Sequence, residues 1–112
     1  MQLASNNNQS YASFELGLIY YNGTIVEHDI NKSIHYFTIS SKLNNSSAQF
    51  NLGLIYYKGK FVTKNIDLAI HYLKLAANQN NPEALHTLGV IYLDINIADS
   101  INYLKLAIDQ NH

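Results

Sequence analysis

The chain has 112 residues, which is enough for one domain with a modest hydrophobic core. Its net charge is −1, from 7 basic and 8 acidic residues, so the basic surface typical of nucleic-acid and anionic-membrane binding is not expected. It contains no cysteine, which excludes disulfides and thiolate metal sites. No apolar run approaches the ~20 residues that span a bilayer, and residues 1–10 lack the pattern of a signal peptide. These absences favour a cytoplasmic location.

One segment of the sequence occurs three times. The pentapeptide LGLIY begins at Leu16 and again at Leu52, and the closely similar LGVIY begins at Leu88, each 36 residues further on. A period of this size predicts a solenoid, in which each repeat is one supersecondary unit that packs on its neighbours. The predicted units are the end of a truncated preceding repeat helix in residues 1–9 and repeats over 10–45, 46–81 and 82–112, which together form one solenoid domain.

Each repeat is predicted to be a helix, a loop and a second helix, because apolar residues recur at helical spacing on both sides of the loop. The fold class is therefore all-α, an α-solenoid of three stacked helix-loop-helix repeats. The first helix of each repeat, here called helix A, is predicted over 11–21, 47–57 and 83–93. The second, helix B, is predicted over 30–43, 66–79 and 97–110. The third repeat has a shortened loop.

Helix A has a glycine near its middle in every repeat, although glycine inside a helix costs about 1 kcal/mol relative to alanine. We expect a packing reason, namely the close approach of a large side chain from helix B. The glycines are Gly17, Gly53 and Gly89, and the large side chains that follow the small positions of helix B are Phe37, Leu73 and Leu104. The leucines before the glycines, Leu16, Leu52 and Leu88, are expected to be buried.

The ends of the helices are marked by short polar residues. Asp29, Asn65 and Asn96 precede helix B and are predicted N-caps, as is Asn81 before Pro82 at the start of the third helix A. Asparagine is the non-glycine residue best suited to the left-handed position after a helix. The corresponding predicted helix ends are Asn44, Asn80 and Asn111, and Asn8, which lies in the same phase, is the expected end of the truncated helix.

The repeat pattern resembles the Sel-one-like repeat (SLR) family, a relative of the tetratricopeptide repeats. Repeat two carries most of the family pattern: Ala48, Leu52, Gly53, Tyr56, Gly59, Val62, Ala69, Tyr72, Leu73, Ala76 and Ala77. The resemblance implies a right-handed superhelix of helix pairs whose concave face is lined mainly by helix A. It also implies an adaptor or scaffold that binds a protein or peptide on that face. The sequence contains no Gly-rich phosphate loop, zinc-protease motif or nucleophile elbow, so neither catalytic activity nor a cofactor is expected.

By analogy with tetratricopeptide geometry, eight residues of helix A are candidates for partner binding. They are Phe14, Leu18, Tyr21, Phe50, Asn51, Tyr57, Lys58 and His86. Aromatic side chains exposed in a groove are typical anchors for a peptide, and an amide and an ammonium beside them can hold its backbone or a carboxylate. The alternative is that the aromatic residues pack between adjacent repeats as part of the core.

Other functions remain open at this stage. The chain could be a structural spacer within a longer array, or a regulatory module of an enzyme. Self-association through uncapped repeat ends is a further hypothesis, because solenoids usually need polar caps. His35 and His71 share a repeat phase, but no other ligand-type residues lie at the spacing a metal site requires, so no metal is predicted. No nucleic acid and no membrane insertion are expected.

Overall fold

In the part of the chain that the structure describes, six α-helices follow one another and pack as three pairs. The computed structural model describes residues 2–109, with side chains from residue 8 onward, and contains no strand in that range. The helices are α1 (Gln2–Asn22), α2 (Ile30–Lys42), α3 (Ser46–Lys58), α4 (Ile66–Ala77), α5 (Pro82–Tyr92) and α6 (Ile97–Asp109). The pairs are α1 with α2, α3 with α4 and α5 with α6, and they are joined where α2 contacts α3 and α4 contacts α5. The predicted all-α helical-repeat solenoid is confirmed.

Asparagine or aspartate begins every helix from α2 to α6. The side chain of Asp29 accepts the backbone N–H of Lys32 at 3.0 Å, and that of Asn65 accepts the N–H of Leu68 at 3.0 Å. Asn81 and Asn96 accept in the same way from residues three further on, and Asn45 does so at the start of α3. Each cap satisfies one of the N–H groups that a helix start leaves unpaired. The four predicted N-caps are confirmed, and Asn45 is a fifth that the sequence had not indicated.

Left-handed asparagines separate each helix B from the next helix A. Asn44 has φ 69° and Asn80 has φ 63°, and these are the positive-φ non-glycine residues of the described chain. Their N–H groups donate to the carbonyl oxygens of Ser41 and Ala77 at 2.9 and 2.8 Å. The predicted helix ends at Asn44 and Asn80 are confirmed, whereas Asn111 lies outside the described residues.

The helix A glycines allow helix B to approach closely. A Cβ atom built on Gly17 would lie 2.5 Å from the Phe37 ring, and one on Gly53 would lie 2.6 Å from the Leu73 side chain. At Gly89 the same atom would meet Leu104 at 2.6 Å. These distances are far shorter than van der Waals contact, so only glycine fits. The predicted packing role of the glycines is confirmed in all three repeats.

The shortened third loop keeps the closing hydrogen bond of the longer loops. In repeats one and two, the N-cap N–H groups of Asp29 and Asn65 donate to the carbonyls of Tyr20 and Tyr56, both at 3.0 Å. In repeat three, Asn96 donates to Tyr92 at 2.8 Å across fewer residues. The two longer loops turn through left-handed Gly23 and Gly59, which the third loop does not need. The loop therefore varies in length between repeats, whereas the hydrogen bond from the N-cap N–H of helix B to the tyrosine carbonyl of helix A is the same in all three.

The start of the chain differs from the prediction. Helix α1 continues from Gln2 through Asn8 to Asn22, so residues 2–9 are its first turns and not the end of a separate helix. At Asn44, the turn is held because the following residue, Asn45, donates its N–H back to Ser40 and α3 then packs on α2. At Asn8 the backbone instead stays in the α-helical hydrogen-bonding pattern, in which every interior N–H is paired.

Leu16 is the second correction. Leu52 and Leu88 are completely buried as predicted, but Leu16 is 37% exposed. Leu52 belongs to the cluster of Phe37, Ala48 and Ile55 at the α2–α3 junction, where the preceding helix B covers it. No described helix covers the same face of α1, so its leucine stays partly in solvent.

Candidate functional site

A groove opens between α1 and α3. It encloses a cavity of about 250 Å³ lined by Leu18, Tyr21, Asn22, Phe37, Asn51, Leu54, Ile55 and Lys58. This α1–α3 groove contains four of the eight predicted residues, namely Leu18, Tyr21, Asn51 and Lys58. The sequence prediction had not included Phe37 and Ile55, which come from the apolar stripes it assigned to the core.

The floor of the α1–α3 groove is apolar and its edge is polar. Phe37 of α2 is 1% exposed and reaches the groove between the two A helices. Leu18 and Leu54 occupy the same position in successive repeats, and both are half-buried. Asn51 is half-buried, whereas Asn22 and Lys58 at the ends of their helices are exposed. An apolar side chain can therefore be seated beside hydrogen-bonding groups and one positive charge.

The repeat pattern explains why these side chains meet. Tyr21 and Asn22 lie in the last turn of α1, and Tyr57 and Lys58 lie at the equivalent positions in the last turn of α3. A cation in this turn is favoured because the partial negative charge of the helix dipole lies there. Lys58 is thus held at the edge of the groove by its place in the helix.

The remaining predicted residues lie elsewhere. Phe14 packs against Phe37 with ring centroids 5.9 Å apart. Phe50 and His86 line a larger and more open depression of about 800 Å³ that α5 and α6 also border. Tyr57 lines a third depression, between α3 and α5, where the Lys64 ammonium lies 5.5 Å from its ring centre. The predicted binding residues are therefore not gathered in one groove.

The predicted aromatic residues also take part in packing between repeats. Phe14, Leu18 and Tyr21 are partly buried and pack against the cluster that contains Phe37 and Leu52. Phe50 and Tyr57 pack in the same way against the cluster that contains Leu73 and Leu88. Tyr21 additionally makes an edge-on contact with Phe61, at 5.7 Å between ring centres. Each of these side chains can therefore contact a partner only with the part that remains exposed.

The groove at the second junction has different polar residues. The residue equivalent to Asn51 is Thr87 in α5. The residue equivalent to Lys58 is Asp94, which follows the end of α5. Asp94 borders the third depression together with Tyr57 and Lys64. The position of Lys58 is thus occupied by a carboxylate one repeat further on. The Lys64 ammonium borders the same depression, and Thr87 lines a different one, so the two junctions offer different chemistry to a ligand.

The tyrosines of each helix pair form stacks outside the α1–α3 groove. Tyr56 and Tyr72 are 6.2 Å apart between ring centres with an interplanar angle of 10°, and similar pairs occur in the other two repeats. Burial raises the pKa of the Tyr72 hydroxyl above its ordinary value, and Tyr56 adds to the effect. The stacks link helix A to helix B within a repeat, so we assign them to packing.

The histidines and acids do not form a metal site in the described part of the chain. His35 and His71 are exposed, and their ring centres lie 5.0 and 5.1 Å from those of Tyr36 and Tyr72. No group of three or more His, Asp or Glu side chains between residues 2 and 109 is arranged to hold a metal ion. None of the helices described is long and apolar enough to cross a membrane.

Stacked helix pairs with a groove between successive A helices define an all-α helical-repeat protein, a class that binds partners along its repeats. The Sel1 repeat pattern matches residues 10–45, 46–81 and 82–112. The chain therefore belongs to the Sel1 repeat family, which confirms the resemblance seen in the sequence. Members of this family are generally protein–protein interaction modules and helical scaffolds, and they are not typically enzymes.

Two solved structures have the same fold. A Sel1 repeat protein from Oxalobacter formigenes matches 97% of this chain at 28% identity, with a TM-score of 0.85. A protective antigen with an SLR fold from uropathogenic Escherichia coli matches 99% at 27% identity, with a TM-score of 0.86. The chain spans 46% of the first protein and 25% of the second. A comparison with curated proteins gives no match.

Proposed function

We propose that the chain binds a peptide segment of a partner protein in the α1–α3 groove. An apolar side chain of the peptide occupies the cavity above Phe37, between Leu18 and Leu54, and a carboxylate lies at Lys58. One observation carries the proposal. Asn51 and Lys58 line the same cavity as the apolar side chains of the groove.

The size of the cavity favours a peptide anchor over a small-molecule ligand. Pockets for drug-sized ligands enclose about 300–1,000 Å³ and surround most of the ligand. The α1–α3 groove has about 250 Å³ and is open to solvent along one side. This space suits one apolar side chain, while the rest of an extended segment continues across the surface. Protein interfaces are typically anchored by a few such side chains in well-packed pockets.

The polar edge provides orientation and a preference for acidic peptides. The Asn51 amide can both donate to and accept from a peptide backbone, and Lys58 can donate to a carboxylate. Because Lys58 is exposed, its attraction for a carboxylate is weakened by salt, so binding should weaken as ionic strength rises. At the second junction Asp94 would repel the same carboxylate and Lys64 beside it would attract it, so the preference for an acidic peptide is stronger at the first junction.

The test is selection from a random peptide library, followed by measurement of the dissociation constants of the selected peptides. We expect sequences with an apolar residue near an aspartate or glutamate. The double variant Asn51→Ala/Lys58→Ala should weaken their binding about tenfold, since an exposed ion pair contributes up to about 1 kcal/mol and a hydrogen bond about 1 kcal/mol. These two side chains are better test positions than Phe50 and Tyr57, which pack against the core.

The matched control is Thr87→Ala/Asp94→Ala, which removes the side chains at the equivalent positions one repeat later. It should leave the dissociation constants within about twofold, and thermal melts should show that both double variants are folded. Equal weakening by the two variants, or no weakening by the first, would place the binding surface outside the α1–α3 groove.

A further inference from the structure

The depression between α3 and α5 repeats the α1–α3 groove one repeat later. It has about 240 Å³, against about 250 Å³ for the groove. Four of its residues each lie 36 positions after a residue of the groove: Tyr57, Val90, Ile91 and Asp94. The corresponding residues of the groove are Tyr21, Leu54, Ile55 and Lys58. We call this second site the α3–α5 depression, and helices of this chain border it on both sides.

The α3–α5 depression presents apolar surface to solvent. Val90 of α5 is 38% exposed, and Ile95 in the loop after α5 is 58% exposed. Ile91 beside them is buried in the core cluster that contains Leu88, so the apolar side chains stand on a fixed support. An apolar side chain that covered Val90 and Ile95 would remove this surface from water, which is favourable.

The last turn of α3 stands between the two sites. Tyr57 lines the α3–α5 depression, and the next residue, Lys58, lines the α1–α3 groove. A helix with its side chains is about 10–12 Å across, which sets the separation of the two sites. In a polyproline II segment, side chains three residues apart face one side at about 9 Å, and in a strand those four residues apart do so at about 13 Å. An extended segment that crosses α3 therefore reaches both sites with side chains three or four residues apart.

The charges around the two sites favour an acidic residue between the two apolar ones. Lys58 is exposed on the turn of α3 that separates the sites. The α3–α5 depression is bordered by one cation, Lys64, and one anion, Asp94, so their effects on a charged ligand largely cancel. The Lys64 ammonium also lies 5.5 Å from the centre of the Tyr57 ring. A carboxylate is therefore favoured at Lys58, and the second apolar residue needs no charged neighbour.

We propose that the peptide bound in the α1–α3 groove crosses the end of α3 and places a second apolar side chain in the α3–α5 depression. This inference rests on the proposed function, because the first apolar side chain is the one that occupies the groove. The partner segment is an extended chain with two apolar residues three or four positions apart and an aspartate or glutamate between them. The second apolar residue strengthens binding because the first already holds it near its site.

The test uses three synthetic fluorescent peptides, and fluorescence anisotropy measures their dissociation constants. The two-anchor peptide has two leucines three positions apart, a glutamate between them, and serine and glycine elsewhere. The one-anchor peptide has serine in place of the second leucine, and the third peptide has its two leucines adjacent. The two-anchor peptide should bind the unaltered chain about tenfold more tightly than the one-anchor peptide, as expected for burial of part of one apolar side chain. The peptide with adjacent leucines should bind like the one-anchor peptide.

Two variants of the chain locate the second anchor. Val90→Gln makes the α3–α5 depression more polar without adding a charge, and circular dichroism checks that the variant is folded. The matched control is Ile101→Gln in α6, where a side chain that is 46% exposed lines neither site. Val90→Gln should bind the two-anchor and one-anchor peptides equally, whereas Ile101→Gln should keep the tenfold difference.

The outcomes separate this inference from the proposed function. Equal binding of the two-anchor and one-anchor peptides to the unaltered chain, or a tenfold difference that persists in Val90→Gln, would overturn the second anchor and leave binding in the α1–α3 groove intact. If neither peptide bound the unaltered chain, the proposed function would fail, and the inference that rests on it would fail as well.

Discussion

Leu16 and Leu52 are the same residue at the same position of successive repeats, yet one is 37% exposed and the other is completely buried. The difference arises from the neighbouring helix, because α2 covers Leu52 and no described helix covers Leu16 in that way. By contrast, Gly17 and Gly53 have nearly identical surroundings, since each faces helix B of its own repeat. Contacts within a repeat thus follow from its own sequence, whereas contacts between repeats depend on what lies next to it.

The largest effect on stability is expected at Leu52, and a comparison with Leu16 tests this difference between the repeats. Leu52→Ala should lower the free energy of unfolding by about 2–5 kcal/mol, because it leaves a cavity between α2 and α3. Leu16→Ala should lower it by less than about 1 kcal/mol, as for other partly exposed positions. Urea denaturation of the two variants measures both values. Equal losses would show that Leu16 is as well covered as Leu52, against the structure.

Unlike the leucines, the glycines should lose the same amount of stability in both repeats when they are substituted. Gly17→Ala and Gly53→Ala should each cost about 1–3 kcal/mol, because the new methyl group overlaps Phe37 or Leu73 and forces the helices apart. The same denaturation experiment applies. Ordinary alanine substitution in a helix stabilises it by about 1 kcal/mol relative to glycine, so a gain in stability at either site would contradict the close approach.

The smallest effect concerns a helix cap. Asn65→Ala should cost about 1 kcal/mol, because the N–H of Leu68 loses its acceptor at the start of α4. Asn65→Asp is the matched control and should be close to neutral, since aspartate caps equally well and already does so at Asp29. Thermal melts of the two variants would reveal the difference. A loss of stability in the aspartate variant as large as in the alanine variant would argue against the cap.

Most of the fold could be predicted from the sequence because its determinants are local or recur in every repeat. Asp29, Asn65 and Asn81 cap helices through residues three positions away, and the glycines face a side chain of their own repeat. The exposure of Leu16 and the continuation of α1 through Asn8 could not be predicted in this way. Both depend on whether another helix packs against α1, which the repeat phase alone does not specify.

The candidate site was predicted only in part, for a related reason. The analogy with tetratricopeptide geometry selected Leu18, Asn51 and Lys58, and these three residues line the α1–α3 groove. It did not show that Phe37 from α2 reaches the groove from below, or that Phe50 and Tyr57 would line separate depressions. Those assignments need the relative positions of three helices, and a one-dimensional pattern describes each helix by itself.

The most direct test of the peptide-binding account is nuclear magnetic resonance of the isotopically labelled chain, titrated with a peptide from the library selection. The account predicts the largest shifts at the methyl groups of Leu18 and Leu54 and at the amide groups of Asn51 and Lys58, with small changes at Thr87. Shifts centred on the second junction or on the tyrosine stacks, with Leu18 and Leu54 unchanged, would contradict it.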